Sequence, residues 1–250
     1  MLERFFNLRY CFNRVEVAER IEKLLSKKES GYICVADGVV LNIANRDKGY
    51  RKILDGAMFS ICDSSFVPLY IKWIYGLKKE QYCGSDIFRD IVSSRKYRMI
   101  FMGTSQRTLD ALQKNLAEKY NPGCADMTFC ELPFKNVEDF DYPGIAKMIE
   151  NDGAEVIWVA LGAPKQERFM NLLQPYLHRG VMIAVGAAFK FYSGLDEKRA
   201  PEWMVKHHME FIYRIYQDPK KQLKRCLWIV AMLPVMFFQE LNRKYSQKIG

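Results

Sequence analysis

Gly162-Ala163-Pro164-Lys165-Gln166-Glu167 is the segment of this 250-residue chain whose residue types and spacing point most sharply to chemistry. It stands directly after the apolar run EVIWVAL and directly before the helix-like ERFMNLLQPYL. Glycine permits a tight turn, and Pro164 suits the first position of a helix, where a missing N–H is no loss. The N–H groups at such a helix start lack partners and carry the positive end of the helix dipole. With the Lys165 ammonium they favour a phosphate, while Gln166 and Glu167 supply groups for sugar or base hydroxyls. The plain alternative is an ordinary strand-to-helix turn with solvated charges.

Two further apolar runs end in glycine and small residues, Gly103-Thr104-Ser105 after YRMIFM and Gly186-Ala187-Ala188 after VMIAV, and they favour the phosphate reading. Neither GxxxxGK[ST] nor a strand-linked GxGxxG occurs, which disfavours a P-loop nucleotidase and a dinucleotide dehydrogenase.

Carboxylates follow two other runs. Asp63, after AMFSIC, opens Asp63-Ser64-Ser65, where it serves either as a general base reaching a substrate hydroxyl or as a helix N-cap. Asp37, in Ala36-Asp37-Gly38, ends YICVA and either stands beside Asp63 at the same sheet edge or is a turn aspartate. Asp139-Phe140-Asp141 has the spacing of a metal-holding carboxylate pair, but it lies where the helix YPGIAKMIE begins, which favours solvated carboxylates at a helix start. His207-His208 reads as helix surface, and no metal site is expected.

Positioning such groups requires strand ends gathered along one edge. Asn13 caps a helix with Val15, Val17, Ala18, Ile21, Leu24 and Leu25 at helical spacing, and short apolar runs at 32–36, 57–62, 97–102, 125–130, 155–161 and 181–185 then alternate with helical stretches. This predicts a Rossmann-like α/β fold, with a mostly parallel sheet and flanking helices, over residues 1–197. Residues 198–250 read as a helical, basic appendage in which Asp218-Pro219 divides two helices. The apolar CLWIVAMLPVMFF that ends the basic run would span roughly 20 Å at about 1.5 Å per residue, short of a bilayer's roughly 30 Å core. It therefore either inserts at an interface or packs on the body.

The net charge of +9 points to a polyanionic partner: nucleic acid, a phosphate-bearing metabolite or an anionic membrane. Seven scattered cysteines without a CxxC pair, and a start without a continuous apolar stretch, predict a reducing, cytoplasmic setting.

WVALGAPKQERFM, VGAAFKFYSG, RAPEWM and EFIYRIYQDPKKQLKR, preceded by FMGTSQRTLDALQKNL, together resemble the WecG/TagA/CpsF glycosyltransferases in order and spacing, over about residues 30 to 225. The resemblance implies inverting, metal-independent and cofactor-free transfer of an N-acetylmannosamine-type sugar from UDP to the 4-hydroxyl of N-acetylglucosamine on a polyprenyl diphosphate. It implies a cytoplasmic enzyme peripheral to the inner face of the membrane, and leaves a homo-oligomer open. Asp63 corresponds to the family's proposed catalytic aspartate, with Ser64 in place of a glycine, and Asp37 stands near the place of an asparagine. Lys190 replaces a carboxylate of the family's Ala-Phe-Asp-Phe. Arg199, Arg214, Lys221, Lys224 and Arg225 match the cations placed near diphosphate.

On this reading the loops at Gly103, Gly162 and Gly186 hold the donor. The rivals are a non-catalytic basic module that binds nucleic acid, which predicts salt-sensitive oligonucleotide binding, and a nucleotide-cofactor oxidoreductase, weakened by the missing fingerprint.

Overall fold

The computed structural model describes residues 1–195, 201, 204, 210–217 and 219–249. Within them the β-branched and aromatic runs form one sheet from β1 (Glu3–Phe5), β2 (Leu8–Tyr10), β3 (Ser30–Ala36), β4 (Phe59–Cys62), β5 (Met99–Gly103), β6 (Thr128–Cys130), β7 (Val156–Ala160) and β8 (Gly180–Ala184). Their order is β1-β2-β4-β3-β8-β7-β5-β6, parallel throughout except for the β1–β2 hairpin at one edge. β5 and β8 are buried along their whole length, and β3 and β7 along nearly all of it, as strands covered on both faces must be.

One face is covered by α2 (Gly38–Arg46), α3 (Lys48–Gly56), α4 (Phe66–Tyr75), α7 (Tyr142–Asp152) and α8 (Lys165–Leu173), packed around Tyr50, Phe169 and Met182. The other is covered by α1 (Arg14–Ser26), α5 (Gly84–Ser94), α6 (Gln106–Lys119) and α9 (Ala188–Ser193), around Phe88, Phe101 and Trp158. Asn13 caps α1 as its type predicts, accepting from Val15 N at 2.9 Å and Glu16 N at 3.1 Å.

Several boundaries differ from the sequence reading. Only Thr128–Cys130 of the run at 125–130 is strand, because Ala125 and Asp126 lie in a 3-10 turn that starts at Pro122. Pro164 sits at the N-cap of α8 rather than inside it, and the helix stops at Leu173 because Pro175 follows in a second 3-10 turn. The β1–β2 hairpin was not expected. Its turn places Phe6 and Asn7 at φ 49° and 65°, and Phe-Asn lacks the glycine that usually announces such a turn.

Towards the end of the chain come α10 (Glu210–Gln217) and α11 (Pro219–Ile249); Asp218 of the expected Asp218-Pro219 break lies outside the described residues. Ile229 of α11 sits over Gly38, where an added Cβ would come within 2.8 Å of its Cδ1. Asn42 Nδ2 donates to the Trp228 carbonyl at 3.1 Å, Met236 is buried, and Phe237 meets Tyr70 edge-on at 5.1 Å. Near the helix end, buried Glu240 accepts from Phe6 N at 2.9 Å and Tyr75 Oη at 2.8 Å while paired with Arg243. The apolar stretch is thus split: one side packs on the body, while Leu227, Val230 and Phe238 stay exposed. Among the described residues, no helix is long and apolar enough to cross a membrane.

Candidate functional site: a cavity where the sheet changes hands

β3 and β8 are neighbours in the sheet, yet the chain leaves β3 for α2 on one face and leaves β8 for α9 on the other. Adjacent strands with oppositely directed connections open a crevice at their carboxyl ends, where α/β proteins bind ligands. A cavity of about 500 Å³ lies there. Val35, Asp37 and Val40 wall one side, and Val185, Gly186, Phe189 and Lys190 the other. Asp63, Ser85, Thr104, Gly162, Gln166 and Arg225 also line it.

Local sequence explains much of this convergence. Asp63 N donates to the Ala36 carbonyl at 3.1 Å, tying the loop after β4 to the end of β3, and Val185 N ties β8 to β7 through the Val159 carbonyl at 3.0 Å. Gly84 lets α5 start tightly against β3, since a Cβ there would stand 3.1 Å from Val35 Cγ1. Gly103 has φ 118°, and a Cβ on it would be 2.6 Å from the Ala160 carbonyl oxygen, so only glycine lets β5 and β7 end so close together. Thr104 follows at φ 55°, a left-handed conformation that costs a β-branched residue about 1–3 kcal/mol and is found where a site demands it.

The expected residues divide into three groups. Asp37, Asp63, Thr104, Gly162, Gln166, Gly186, Lys190 and Arg225 line the cavity. Gly103, Ser105, Pro164, Lys165, Glu167 and Lys224 do not. Ser105 Oγ lies 3.1 Å from Thr108 Oγ1, and Lys224 is exposed. Lys165 turns to a separate groove, donating to the Lys135 carbonyl and standing 5.3 Å from the centre of the exposed Phe134 ring. Arg199 and His207-His208 lie outside the described residues, as do the side chains of Arg214 and Lys221.

The two aspartates differ in what surrounds them. Asp37 is the N-cap of α2: its Oδ1 accepts from Val39 N at 2.8 Å and Val40 N at 2.9 Å, and its Oδ2 pairs with Arg225. Asp63 is half-buried at the cavity wall, and the N-cap position of α4 falls to Ser65 instead. Asp141, by contrast, caps α7 by accepting from Gly144 N at 3.0 Å, and Asp139 lines the groove beside Lys165. Among the described residues, no group of three or more His, Cys, Asp or Glu side chains is placed to hold a metal ion.

Glu167 is fully buried and faces the core rather than the cavity. Gln166 Nε2 donates to its Oε1 at 2.9 Å and Tyr50 Oη to its Oε2 at 3.0 Å, and burial pushes its carboxyl up to about 7. Sequence reasoning missed Tyr50 and Ser85. Each belongs to a helix whose place against the sheet is set by contacts distant in sequence, and nothing local marks them. The starts of α5, α8 and α9 lie along this edge with no cap bond from the N-cap side chain, leaving dipole ends that favour anionic groups, whereas the first amide of α6, Gln106 N, donates to Glu131 Oε2 at 3.2 Å.

The sequence matches the model of the Glycosyl transferase WecG/TagA/CpsF family over residues 6–247. Among characterised proteins it is 24% identical over 239 residues, 91% of this chain and 90% of the relative, to the N-acetylglucosaminyldiphosphoundecaprenol N-acetyl-beta-D-mannosaminyltransferase of Bacillus subtilis (strain 168). Enzymes of the same name from Bacillus spizizenii (strain ATCC 23059 / NRRL B-14472 / W23) and Staphylococcus aureus (strain MW2) are 23% and 22% identical, covering 82% and 83% of this chain and 81% of each relative. A match across nearly the whole chain, on an α/β fold in which Thr104, Gln166, Lys190 and Arg225 from four family-like segments line one cavity, identifies the chain as a glycosyltransferase belonging to the WecG/TagA/CpsF family.

Proposed function

We propose that the protein transfers an N-acetylmannosamine-type sugar from UDP to N-acetylglucosamine carried on a polyprenyl diphosphate, by a single inverting displacement without a metal ion. The observation that carries this reading is the meeting in one cavity of the Asp63 carboxylate with two cationic side chains, Lys190 and Arg225, beside uncapped helix starts. The names of the relatives supply the donor and acceptor classes.

Asp63 takes the proton of the attacking hydroxyl as its oxygen bonds to the anomeric carbon. The bond from that carbon to the diphosphate breaks, and UDP leaves with the electron pair. Lys190, Arg225 and the helix dipoles neutralise the diphosphate. Asp37 caps α2 and holds Arg225 at the cavity.

The exposed Leu227, Val230 and Phe238 of α11, together with Trp73 of α4 and the basic run before them, support docking to an anionic membrane surface, where the acceptor's lipid resides. No observation favours the nucleic-acid or oxidoreductase readings.

The test is incubation with a panel of UDP-sugars and a lipid-diphosphate N-acetylglucosamine analogue. Transfer from the mannosamine-type donor is expected, and Asp63→Asn should lower turnover by roughly 10²- to 10⁴-fold with UDP affinity nearly unchanged. Full activity in that variant would remove Asp63 from the mechanism.

A further inference from the structure

We propose that Glu167 is a positioning residue that acts through Gln166, holding the Gln166 amide in the one orientation that fastens the Gly162 turn and fixes the polar wall between the two glycine loops of the cavity. Glu167 has no exposed surface and is absent from the cavity lining, so it meets no ligand directly. Gln166 does line the cavity, and every polar contact it makes there is directional. Its Oε1 accepts from Gly162 N at 3.0 Å, and its Nε2 donates to Glu167 Oε1 at 2.9 Å.

An amide can turn end over end at little cost in size, so orientation must come from its partners. A backbone N–H donates only, and the Glu167 oxygen that faces Gln166 accepts, while Tyr50 donates to the other oxygen. Glu167 on one side and Gly162 on the other therefore admit a single arrangement, with oxygen toward Gly162 and nitrogen toward Glu167.

The carboxylate is itself held from a second element, because Tyr50 of α3 donates to Oε2 at 3.0 Å. The Gln166 amide also reaches the neighbouring loop: a Cβ built on Gly186 would stand 3.7 Å from Gln166 Oε1 and 3.9 Å from Nε2. One side chain thus spans the loops after β7 and β8, and its placement is set from the core by Glu167. The remaining Nε2 hydrogen is thereby fixed for a donor oxygen.

This inference rests on reading the cavity as the donor site, but its first readout does not. Hydrogen exchange at the Gly162 amide, resolved by NMR, reports whether Gln166 still holds the turn, whatever the enzyme binds. Glu167→Leu removes the acceptor. Glu167→Asp keeps the carboxyl but withdraws it by one methylene, and it carries the same test if the leucine variant does not fold. Both should raise Gly162 exchange about tenfold or more, and raise the Kd for UDP and the KM for UDP-sugar by roughly 10- to 100-fold with a smaller change in kcat. Glu167→Gln should restore both to within about threefold, because its oxygen still accepts from Gln166 and its amide donates to the Tyr50 oxygen.

Unchanged Gly162 exchange and an unchanged UDP-sugar KM in the aspartate variant, alongside a lowered Tm, would reduce Glu167 to a packing role and overturn the proposal. Equal damage from aspartate and glutamine would do the same. If the unaltered protein binds no UDP, the donor reading fails by itself, and the exchange comparison still decides the role of Glu167.

Discussion

Glu167→Gln should remove a pH dependence of stability that the buried carboxyl builds into the fold. Burial raises this group from 4.5 to about 7, against the lowering pull of hydrogen bonds from Gln166, its own backbone N–H and Tyr50, and the negative charge of Asp37 adds to the rise. Cys34 of β3 and Tyr50 of α3 face it and are themselves pushed up by burial and by its charge, while Asp37 at the start of α2 is paired with Arg225. In the unfolded chain the carboxyl loses its proton near pH 4.5, whereas in the folded protein it keeps the proton until about 7. The favourable contribution is therefore fully present below pH 4.5 and is lost as pH rises through about 7. At about 1.4 kcal/mol per pH unit, this window is worth on the order of 3 kcal/mol. Urea unfolding of the unaltered protein and of Glu167→Gln, compared from about pH 4.5 to about pH 8, isolates the term because the other titrating groups cancel in the difference. The unaltered protein should lose about 3 kcal/mol relative to the variant across that range. A difference that stays flat would refute the argument that burial dominates this site.

Gly103→Ala places a Cβ 2.6 Å from the Ala160 carbonyl oxygen on a backbone at φ 118°, and should lower unfolding free energy by roughly 1–3 kcal/mol in the same urea assay. Turnover should persist after exhaustive chelation, measured as UDP release. Loss restored by manganese or magnesium would return metal chemistry to the mechanism and direct attention to Asp139 and Asp141. Reversing Lys220, Lys221, Lys224 and Arg225 to glutamate should release the protein from anionic vesicles in sedimentation, at about 1 kcal/mol for each charge near the surface, and also lower transfer to a soluble short-chain acceptor. Vesicle release with undiminished transfer would leave the segment as an anchor only, and no change in either would leave a solvated helix.

Features that depend on a few neighbouring residues were legible in the sequence. The apolar runs at 32–36, 97–102, 155–161 and 181–185 become central strands, and Asn13 caps the first helix. The special backbone at Gly103, Gly162 and Gly186 belongs to the same class, since the residue type itself permits the conformation. What only the tertiary structure decided is which of these features meet. β3 lies beside β8 although some 150 residues separate them, and that pairing creates the cavity. Arg225 reaches Asp37 across 188 residues, so an aspartate that reads locally as a turn residue becomes the anchor of a distant cation. Glu167, at the first turn of a helix, has the local pattern of an exposed acid. It is buried because α3 brings Tyr50 against that helix, a contact made 117 residues away. Local backbone preferences are written in residues a few positions apart; the environment that turns a carboxylate into a cap, a base or a buried brace is supplied by elements that only folding brings near.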